Sequence, residues 1–414
     1  MQYFFILGKN PILSKAEIDA VLKLESIKYK VLEFGEKVLV LEIEKELDID
    51  WLNNRLGGTI KIGKILDTIS SLENFEERFF DLIKFGDGKV YFGFSLYQLD
   101  PKVHLNKYQN KLLPVAMEIK RILREDKNIN SRYVVSKELE LSSVIVKKNK
   151  LLQNGAEICF FVKDKPSFAS ASAEATADRK ASEGKEILVG QTLAVQPFEE
   201  FGARDFTRPS RDQVSGMLPP KLARIMINLG QVKEEAQILD PFCGSGTILQ
   251  EALILGYQNL IGSDKSEKAI KDTKQNLDWL KEKYQLNTNN VQLFNVPFEQ
   301  LGKKINPNSI GAIITEPYLG PALKGNEDIR QIDLIIKELQ DLYLSAFTTF
   351  YNILKKKGKI IIILPIYHLK NIDKSPNILN EIKEIGFKVL NKESLLYFRP
   401  NQFIKREIII LEKT

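Results

Sequence analysis

Apolar runs of strand length dominate the first half of the pattern. Residues 2–7 (QYFFIL) read as a strand, and residues 14–24 carry a helical period with Ser14 as N-cap and Glu17 three residues on, a capping box. Residues 29–34 and 37–42 read as paired strands around Gly35-Glu36, so the order strand, helix, strand, strand is half of a ferredoxin-like unit. A short helix over 50–56, Gly57-Gly58 and a strand over 59–65 follow. From Val90 the segment YFGFSLYQ is a strand, and it leads into a helix around 111–124. That helix sets Leu112, Val115, Ile119, Ile122 and Leu123 on one face and Lys111, Lys120, Arg121 and Arg124 on the other. A strand at 133–135, the segment 141–150 with Lys147, Lys148 and Lys150, and a strand pair at 156–162 and 187–197 complete this half. Between the last two strands, residues 167–185 are rich in Ala, Ser and Glu without apolar period, which predicts a disordered insertion in a hairpin loop.

The second half alternates. Residues 197–215 form a linker by their proline and charge content, with Arg204, Arg208 and Arg211 beside Phe201 and Phe206. Pro219 and Pro220 then stand at a helix entrance, Leu222, Ile225, Met226 and Leu229 make its apolar face, and Gly230 stops it. Strands at 237–240, 260–264, 291–294, 310–315 and 359–365 are separated by helices at 247–255, 267–281 and within 328–354, the last stopped by Lys355–Lys357 and Gly358. This is the pattern of an α/β fold with a Rossmann-like parallel sheet. Residues 395–398 and 403–411 form a hairpin around Arg399-Pro400-Asn401, adding an antiparallel strand at the end of the sheet, as in methyltransferases that use S-adenosylmethionine.

At 414 residues the chain exceeds one ordinary core, and two or three domains are expected: 1–48, 49–196, the linker 197–215, and 216–414. With 43% hydrophobic and 28% charged residues it reads as soluble and globular. The opening apolar run is short, lacks a basic flank and precedes Gly-Lys-Asn-Pro, unlike a signal peptide, and no run reaches the length of a membrane span. A cytoplasmic protein is expected. Cys159, Cys243, His104 and His368 supply neither a zinc cluster nor a disulfide framework, so no metal is expected. The net charge of +6 suits a polyanionic partner and an ordinary enzyme equally. The lysine-rich edges of the first half fit phosphate contact without base reading, or a solvated face. Arginine with aromatic neighbours in the linker suits nucleic-acid contact, or packing on the second half.

Candidate chemistry concentrates at two strand ends. In DPFCGSGT, residues 240–247, a strand runs into a glycine turn and a helix, the front of a nucleotide-type cofactor site. The glycines do not complete a dinucleotide fingerprint. Gly244 and Gly246 let backbone approach the methionine part of S-adenosylmethionine, Asp240 would face its ammonium group, and Asp264 would accept both ribose hydroxyls. Phe242 and Thr247 belong to the same turn, and Cys243 reads as a packing residue. In IITEPYLGP, a carboxylate (Glu316), a rigid bend (Pro317) and an aromatic ring (Tyr318) meet after Thr315, where the strand ends.

DPFCGSGT, the TEPY segment, RDFTRPSRD with GMLPPKLARIMINL, and the closing YFRPNQFIKREI together resemble the THUMP-domain RNA methyltransferases, in particular tRNA guanosine-N2 methyltransferases acting on position ten. LNNRLGGTIKIGKI, YFGFSLY and LELSSVIVKKN are similar to the family's ferredoxin-like and THUMP regions. The resemblance implies a ferredoxin-like region at 1–48, a THUMP RNA-binding domain at 49–196, tRNA as partner, S-adenosylmethionine as cofactor and guanosine N2 as acceptor. Enzymes that methylate an exocyclic amine carry Asp or Asn, then Pro-Pro, then an aromatic residue. Here the acid falls on Thr315 and the first proline on Glu316. The resemblance therefore implies Glu316 as the charged acceptor for the amine, Thr315 or the Glu316 carbonyl as the second acceptor, and Tyr318 as the stacking ring. In FNVPFEQL, Asn295 is the candidate near the adenine and Pro297 stands where related enzymes place an acid. Arg399 and Gln402 either reach RNA or the catalytic loop, or fix their turn. The alternatives are a DNA amino-methyltransferase, on adenine N6 or cytosine N4, and a tRNA-binding protein without catalysis; a monomer is expected.

Overall fold

The computed structural model describes residues 1–83, 88–164, 185–211, 217–369, 372–399 and 402–414. The insertion expected at 167–185 lies outside the described residues apart from Lys185, as do Pro400 and Asn401 of the last turn. Two compact units emerge. One comprises Met1–Pro11, Ile27–Asn54 and Thr59–Pro197, the other Ile12–Ser26, Arg55–Gly58 and Phe198–Thr414.

In chain order the elements up to residue 195 are β1 (Gln2–Leu7), α1 (Pro11–Leu24), β2 (Tyr29–Phe34), β3 (Val38–Ile43), α2 (Ile49–Arg55), β4 (Thr59–Ile69) and α3 (Phe75–Leu82). After them come β5 (Val90–Gln98), α4 (Asn106–Glu125), β6 (Ser131–Val134), α5 (Ser143–Lys148), β7 (Gly155–Asp164) and β8 (Lys185–Val195). The eight strands form one sheet in the order β2-β3-β1-β4-β8-β7-β5-β6. β5 is parallel to β6 and β7, and the other neighbours run antiparallel. Alternate residues of β5 and β7, with Phe75 and Phe79 from α3 and Leu112, Val115 and Ile119 from α4, make its main core. α3 has no counterpart in the sequence reading. It is two turns long, and only the Phe75–Phe79 spacing marks its apolar face.

Under that sheet lies a buried ion pair. Lys61 Nζ is 2.5 Å from Glu157 Oε1, with side chains 2% and 0% exposed. Ser95 and Thr192 donate to the same carboxylate, and Lys61 also donates to the Leu141 carbonyl.

The second unit contains α1, with Ser14 and Glu17, and it corrects the capping-box reading. The helix starts three residues earlier, at Pro11, whose missing N–H costs nothing there. Ser14 Oγ donates to the Gly58 carbonyl at 2.9 Å, and the fully buried Glu17 carboxylate accepts the Gly57 and Gly58 N–H groups at 2.8 Å each. The remaining elements are α6 (Phe198–Gly202), α7 (Pro220–Gly230), β9 (Ile238–Asp240), α8 (Thr247–Ile254), β10 (Leu260–Ser263), α9 (Glu267–Tyr284), β11 (Val291–Phe294) and β12 (Ile310–Thr315). They continue through α10 (Ile329–Ile353), β13 (Leu354–Leu369), β14 (Ile372–Lys374), α11 (Leu379–Ile385), β15 (Phe387–Val389), β16 (Leu395–Tyr397) and β17 (Ile404–Lys413).

Their sheet runs β11-β10-β9-β12-β13-β17-β15, with β14 on β13 and β16 on β17. The first five strands are parallel, which is the Rossmann-like arrangement. Both faces are covered: Ile314, Ile361 and Ile363 pack with α7 and α8, whereas Ile313, Ile360 and Ile362 pack with α10. β17 pairs antiparallel with β13 from Lys359↔Glu412 to Tyr367↔Ile404. It pairs with β16 as a hairpin would, but it does not end the sheet, because the three-residue β15 lies beyond it. Nor do Lys355–Lys357 stop α10 as loop; they are already in β13.

The buried pair yields a stability prediction. Lys61→Met leaves the Glu157 carboxylate buried without its cation, and urea unfolding of the first unit should show a loss of about 3–5 kcal/mol. A loss under about 1 kcal/mol would contradict the pairing.

Candidate active site

β9 and β12 are adjacent and parallel, with Leu239 opposite Ile313, so Asp240 and Thr315 leave the sheet side by side at its carboxyl edge. Thr315 is fully buried and its hydroxyl donates to Asp240 Oδ1 at 2.7 Å; the Phe242 N–H donates to the same oxygen at 3.2 Å. Burial pushes the Asp240 carboxyl up to about 7, the two hydrogen bonds pull it down, and the charges of Asp264 and Glu316 push it further up. No salt bridge to Asp240 exists among the described residues.

The turn after Asp240 depends on its two glycines, both with positive φ, +53° at Gly244 and +79° at Gly246. A Cβ on Gly246 would lie 2.8 Å from the Thr273 methyl, so that glycine is needed for packing. A Cβ on Gly244 would meet no heavy atom within 4 Å. Asp264, just past β10, accepts the Gly244 N–H at 3.1 Å and the Ser266 N–H at 2.9 Å. The Asn295 amide donates to the carbonyls of Asp264 and Lys265 at 3.0 and 3.2 Å, bracing the exit of β10. The Phe242 ring lies 5.5 Å from that of Phe298. Cys243 is buried and its thiol is pushed well up by burial, which fits packing.

These residues suit S-adenosylmethionine. Asp240 is a buried carboxylate without a cation among the described residues, Gly244 leaves open space beside the backbone, and Asp264 brings a second carboxylate to that turn. Asp240 would face the ammonium group and Asp264 the ribose hydroxyls. Among the described residues, no group of His, Cys, Asp or Glu could hold a metal ion.

The loop after β12 is held from three sides. Glu316 Oε1 accepts from Arg406 Nε on β17 at 2.5 Å, each side chain 15% exposed. The buried Tyr343 and Tyr367 hydroxyls donate to the Tyr318 and Leu319 carbonyls at 2.7 and 2.5 Å. Gly320, at φ +92°, has to be glycine, since a Cβ would lie 2.0 Å from the Tyr367 hydroxyl. Pro317 is buried, and the Tyr318 ring is left 58% exposed. Arg406 is the residue that sequence reasoning missed. It stands in FIKREI, four residues past Gln402, and only the β13–β17 register brings it to Glu316. Arg399 donates to Tyr397 Oη at 3.2 Å and so braces its own turn.

Two of the arginines expected to touch RNA are buried in this unit. The stretch expected to be a linker is helical from 198 to 207, and Phe201 anchors it in the interior. Arg204 consequently points inward and is 2.5 Å from Glu251, which also pairs with Arg224 at 2.7 Å. Arg208 is 3% exposed and donates to Thr247 Oγ1 at 2.7 Å. Arg211 remains exposed, over the Phe206 ring. On α4, Lys111 pairs with Glu73 and Arg121 with Glu118 and Glu125, so acids offset part of that cationic face; Lys120 is half-buried and Arg124 exposed. Lys147, Lys148 and Lys150 are exposed on and after α5.

Comparison with known proteins shows similarity to methyltransferases. Residues 208–370 match the family model described as RMKL-like, methyltransferase domain, and residues 105–275 match one described as DNA methylase. A methyltransferase domain is thus present in the second unit, around both strand ends. The chain is related in sequence to proteins named tRNA (guanine(10)-N2)-dimethyltransferase. The one from Methanothermobacter thermautotrophicus is 41% identical over 92 residues, 22% of this chain and 26% of the relative. The one from Pyrococcus abyssi is 28% identical over 235 residues, 55% of this chain and 60% of the relative. The chain therefore matches from about a quarter to three fifths of the length of these relatives. The crystal structure of TrmN from Thermus thermophilus has the same fold across all of both chains, with a TM-score of 0.54 at 13% identity.

The Asp240 environment predicts a pH dependence. A group whose folded value, about 7, lies above its ordinary 3.8 holds an extra proton in the folded protein between them, so stability of the ligand-free protein falls as pH rises through that window. Ligand binding runs the other way, because the ammonium group needs the ionised carboxylate. Affinity for S-adenosylhomocysteine, followed by calorimetry, should fall as pH is lowered from about 8 to about 6, by up to about tenfold per unit, and be flat in Asp240→Asn. Parallel pH profiles in the two proteins would remove Asp240 from the ammonium site.

Proposed function

We propose that the protein transfers a methyl group from S-adenosylmethionine to an exocyclic amine in tRNA, guanosine N2. The observation that carries this reading is the exposed Tyr318 ring beside the Arg406-held Glu316 carboxylate, at the strand end next to Asp240. The names of the sequence relatives support tRNA and guanine as the substrate.

An exocyclic amine is a poor nucleophile because its lone pair is shared with the ring. Bound S-adenosylmethionine supplies a methyl group on a cationic sulfur. The protein's own task is to hold the amine. Arg406 occupies Glu316 Oε1, which leaves Oε2 to accept an amine hydrogen through a charge-assisted bond, about twice as strong as a neutral one. The Glu316 carbonyl is the second acceptor, since the Thr315 side chain is fully buried against Asp240. Tyr318 stacks on the base, and the Tyr343 and Tyr367 hydroxyls keep its loop from shifting. As positive charge develops on the nitrogen, the Glu316 carboxylate stabilises it.

The N-terminal half, with a ferredoxin-like region at 1–48 and a THUMP-type region at 49–196, is the tRNA-docking part of this reading. Lys147, Lys148 and Lys150, with Arg124, offer phosphate contacts there, and Arg211 offers one on the second unit. The protein acts in the cytoplasm as a monomer.

Mass spectrometry of nucleosides from unmodified tRNA, incubated with the protein and labelled S-adenosylmethionine, tests the reading. Label should appear in N2-methylated guanosine and fall by about 100-fold or more in Glu316→Ala. Label on adenine N6 or cytosine N4 of a DNA substrate instead would favour the DNA reading, to which the match at 105–275 points. Tight binding of tRNA and cofactor without transfer would leave a binding protein.

A further inference from the structure

Four arginines are buried in the second unit among the described residues, Arg55, Arg204, Arg208 and Arg224, and they are not equivalent. Arg55 donates to the Asn228 side chain, the Leu255 carbonyl and the Tyr257 hydroxyl, away from the cofactor turn. Arg204 and Arg224 share Glu251. Arg208, 3% exposed, has no carboxylate within ion-pair distance among the described residues. Its Nη1 donates to the Thr247 hydroxyl at 2.7 Å, its Nη2 lies 2.9 Å from the Met217 sulfur, and its Nε is buried with no hydrogen-bond partner. Burial pulls its pKa down, the more distant acids Asp205 and Glu251 work against that, and Arg211 adds to it. A guanidinium held this way, with only neutral partners and one orphaned N–H, costs folding free energy.

Thr247, the residue it touches, is the first residue of α8. The N-cap is Gly246, which has no side chain to bond the first-turn amides, so the positive end of the helix is left uncapped. An unpaired buried cation and an uncapped helix start therefore meet at one residue of the cofactor turn. Both favour an anion. S-adenosylmethionine carries one anionic group, the carboxylate of its methionine portion.

We propose that Arg208 is a cofactor-binding residue that receives this carboxylate at the start of α8. The inference rests on the cofactor reading above and takes it further. The turn from Asp240 to Thr247 then has an acid at one end for the ammonium group and a cation at the other for the carboxylate. The cost of burying Arg208 alone is offset only when the ligand binds.

The test compares two ligands by isothermal titration calorimetry on the full chain. S-adenosylhomocysteine has the amino-acid portion; 5′-methylthioadenosine keeps the adenosine and lacks it. In Arg208→Met, affinity for the first should fall about 10- to 100-fold, as for loss of a charged hydrogen bond, and affinity for the second should stay within about twofold. Ligand-free Arg208→Met should also unfold at no lower temperature than the wild type. Equal losses for both ligands, or no loss for either, would overturn the proposal while leaving the cofactor reading in place. A wild-type protein that binds neither ligand would overturn both. Should Arg208→Met not fold, Arg208→Lys decides: the preference for S-adenosylhomocysteine drops several-fold if the fork of the guanidinium holds the carboxylate, and keeps its wild-type value if Arg208 only braces Thr247.

Discussion

The hydrogen bond from Thr315 to Asp240 ties the two halves of the site together. It joins the ends of two adjacent parallel strands, and each strand continues into a different loop, one shaped by Gly244 and Gly246, the other carrying Glu316 and Tyr318. A buried carboxylate at such a place needs a donor, and among the described residues it has one hydroxyl and one N–H but no cation. The same bond that makes Asp240 tolerable thus fixes the distance between the turn that would hold the cofactor and the loop that would hold the base. Everything beyond it is bracing: Tyr343 and Tyr367 on the loop's carbonyls, Arg406 on Glu316, Thr273 and Asp264 on Gly244.

Charge is distributed unequally over the second unit, and the inequality has chemical content. Glu251 pairs with both Arg204 and Arg224, Glu200 lies 4.0 Å from Arg204, and Glu17 is satisfied by two backbone N–H groups and Asn228. Those groups hold the fold. Asp240 and Arg208 are buried without a counterion among the described residues, and they sit at the two ends of the same eight-residue turn. Uncompensated charges in an interior are costly for stability and suited to binding a ligand of opposite charge pattern.

Much of this was legible in the sequence because the relevant signals are local. The strand-turn-helix of DPFCGSGT, the acid at the next strand end and the TEPY segment each lie within a few residues. What failed depended on partners far along the chain. Ser14 and Glu17 have capping-box spacing, yet their partners are Gly57 and Gly58. Arg204 looks like a free cation until α9 and Glu251 close over it. Arg406 is 90 residues from Glu316 and gains its role from strand register alone. The short β15 gave too little periodicity to show that β17 lies inside the sheet.

The coupling at the centre of this account can be measured in Thr315→Val, which keeps the volume of the side chain and removes the hydroxyl. The Thr315 hydrogen bond pulls the Asp240 carboxyl down toward about 7. Without it, the pH midpoint for binding S-adenosylhomocysteine should move up, so that binding at neutral pH weakens and is regained at higher pH. A midpoint unchanged from the wild type would mean that Asp240 does not depend on Thr315, and that the two loops are not joined through this bond.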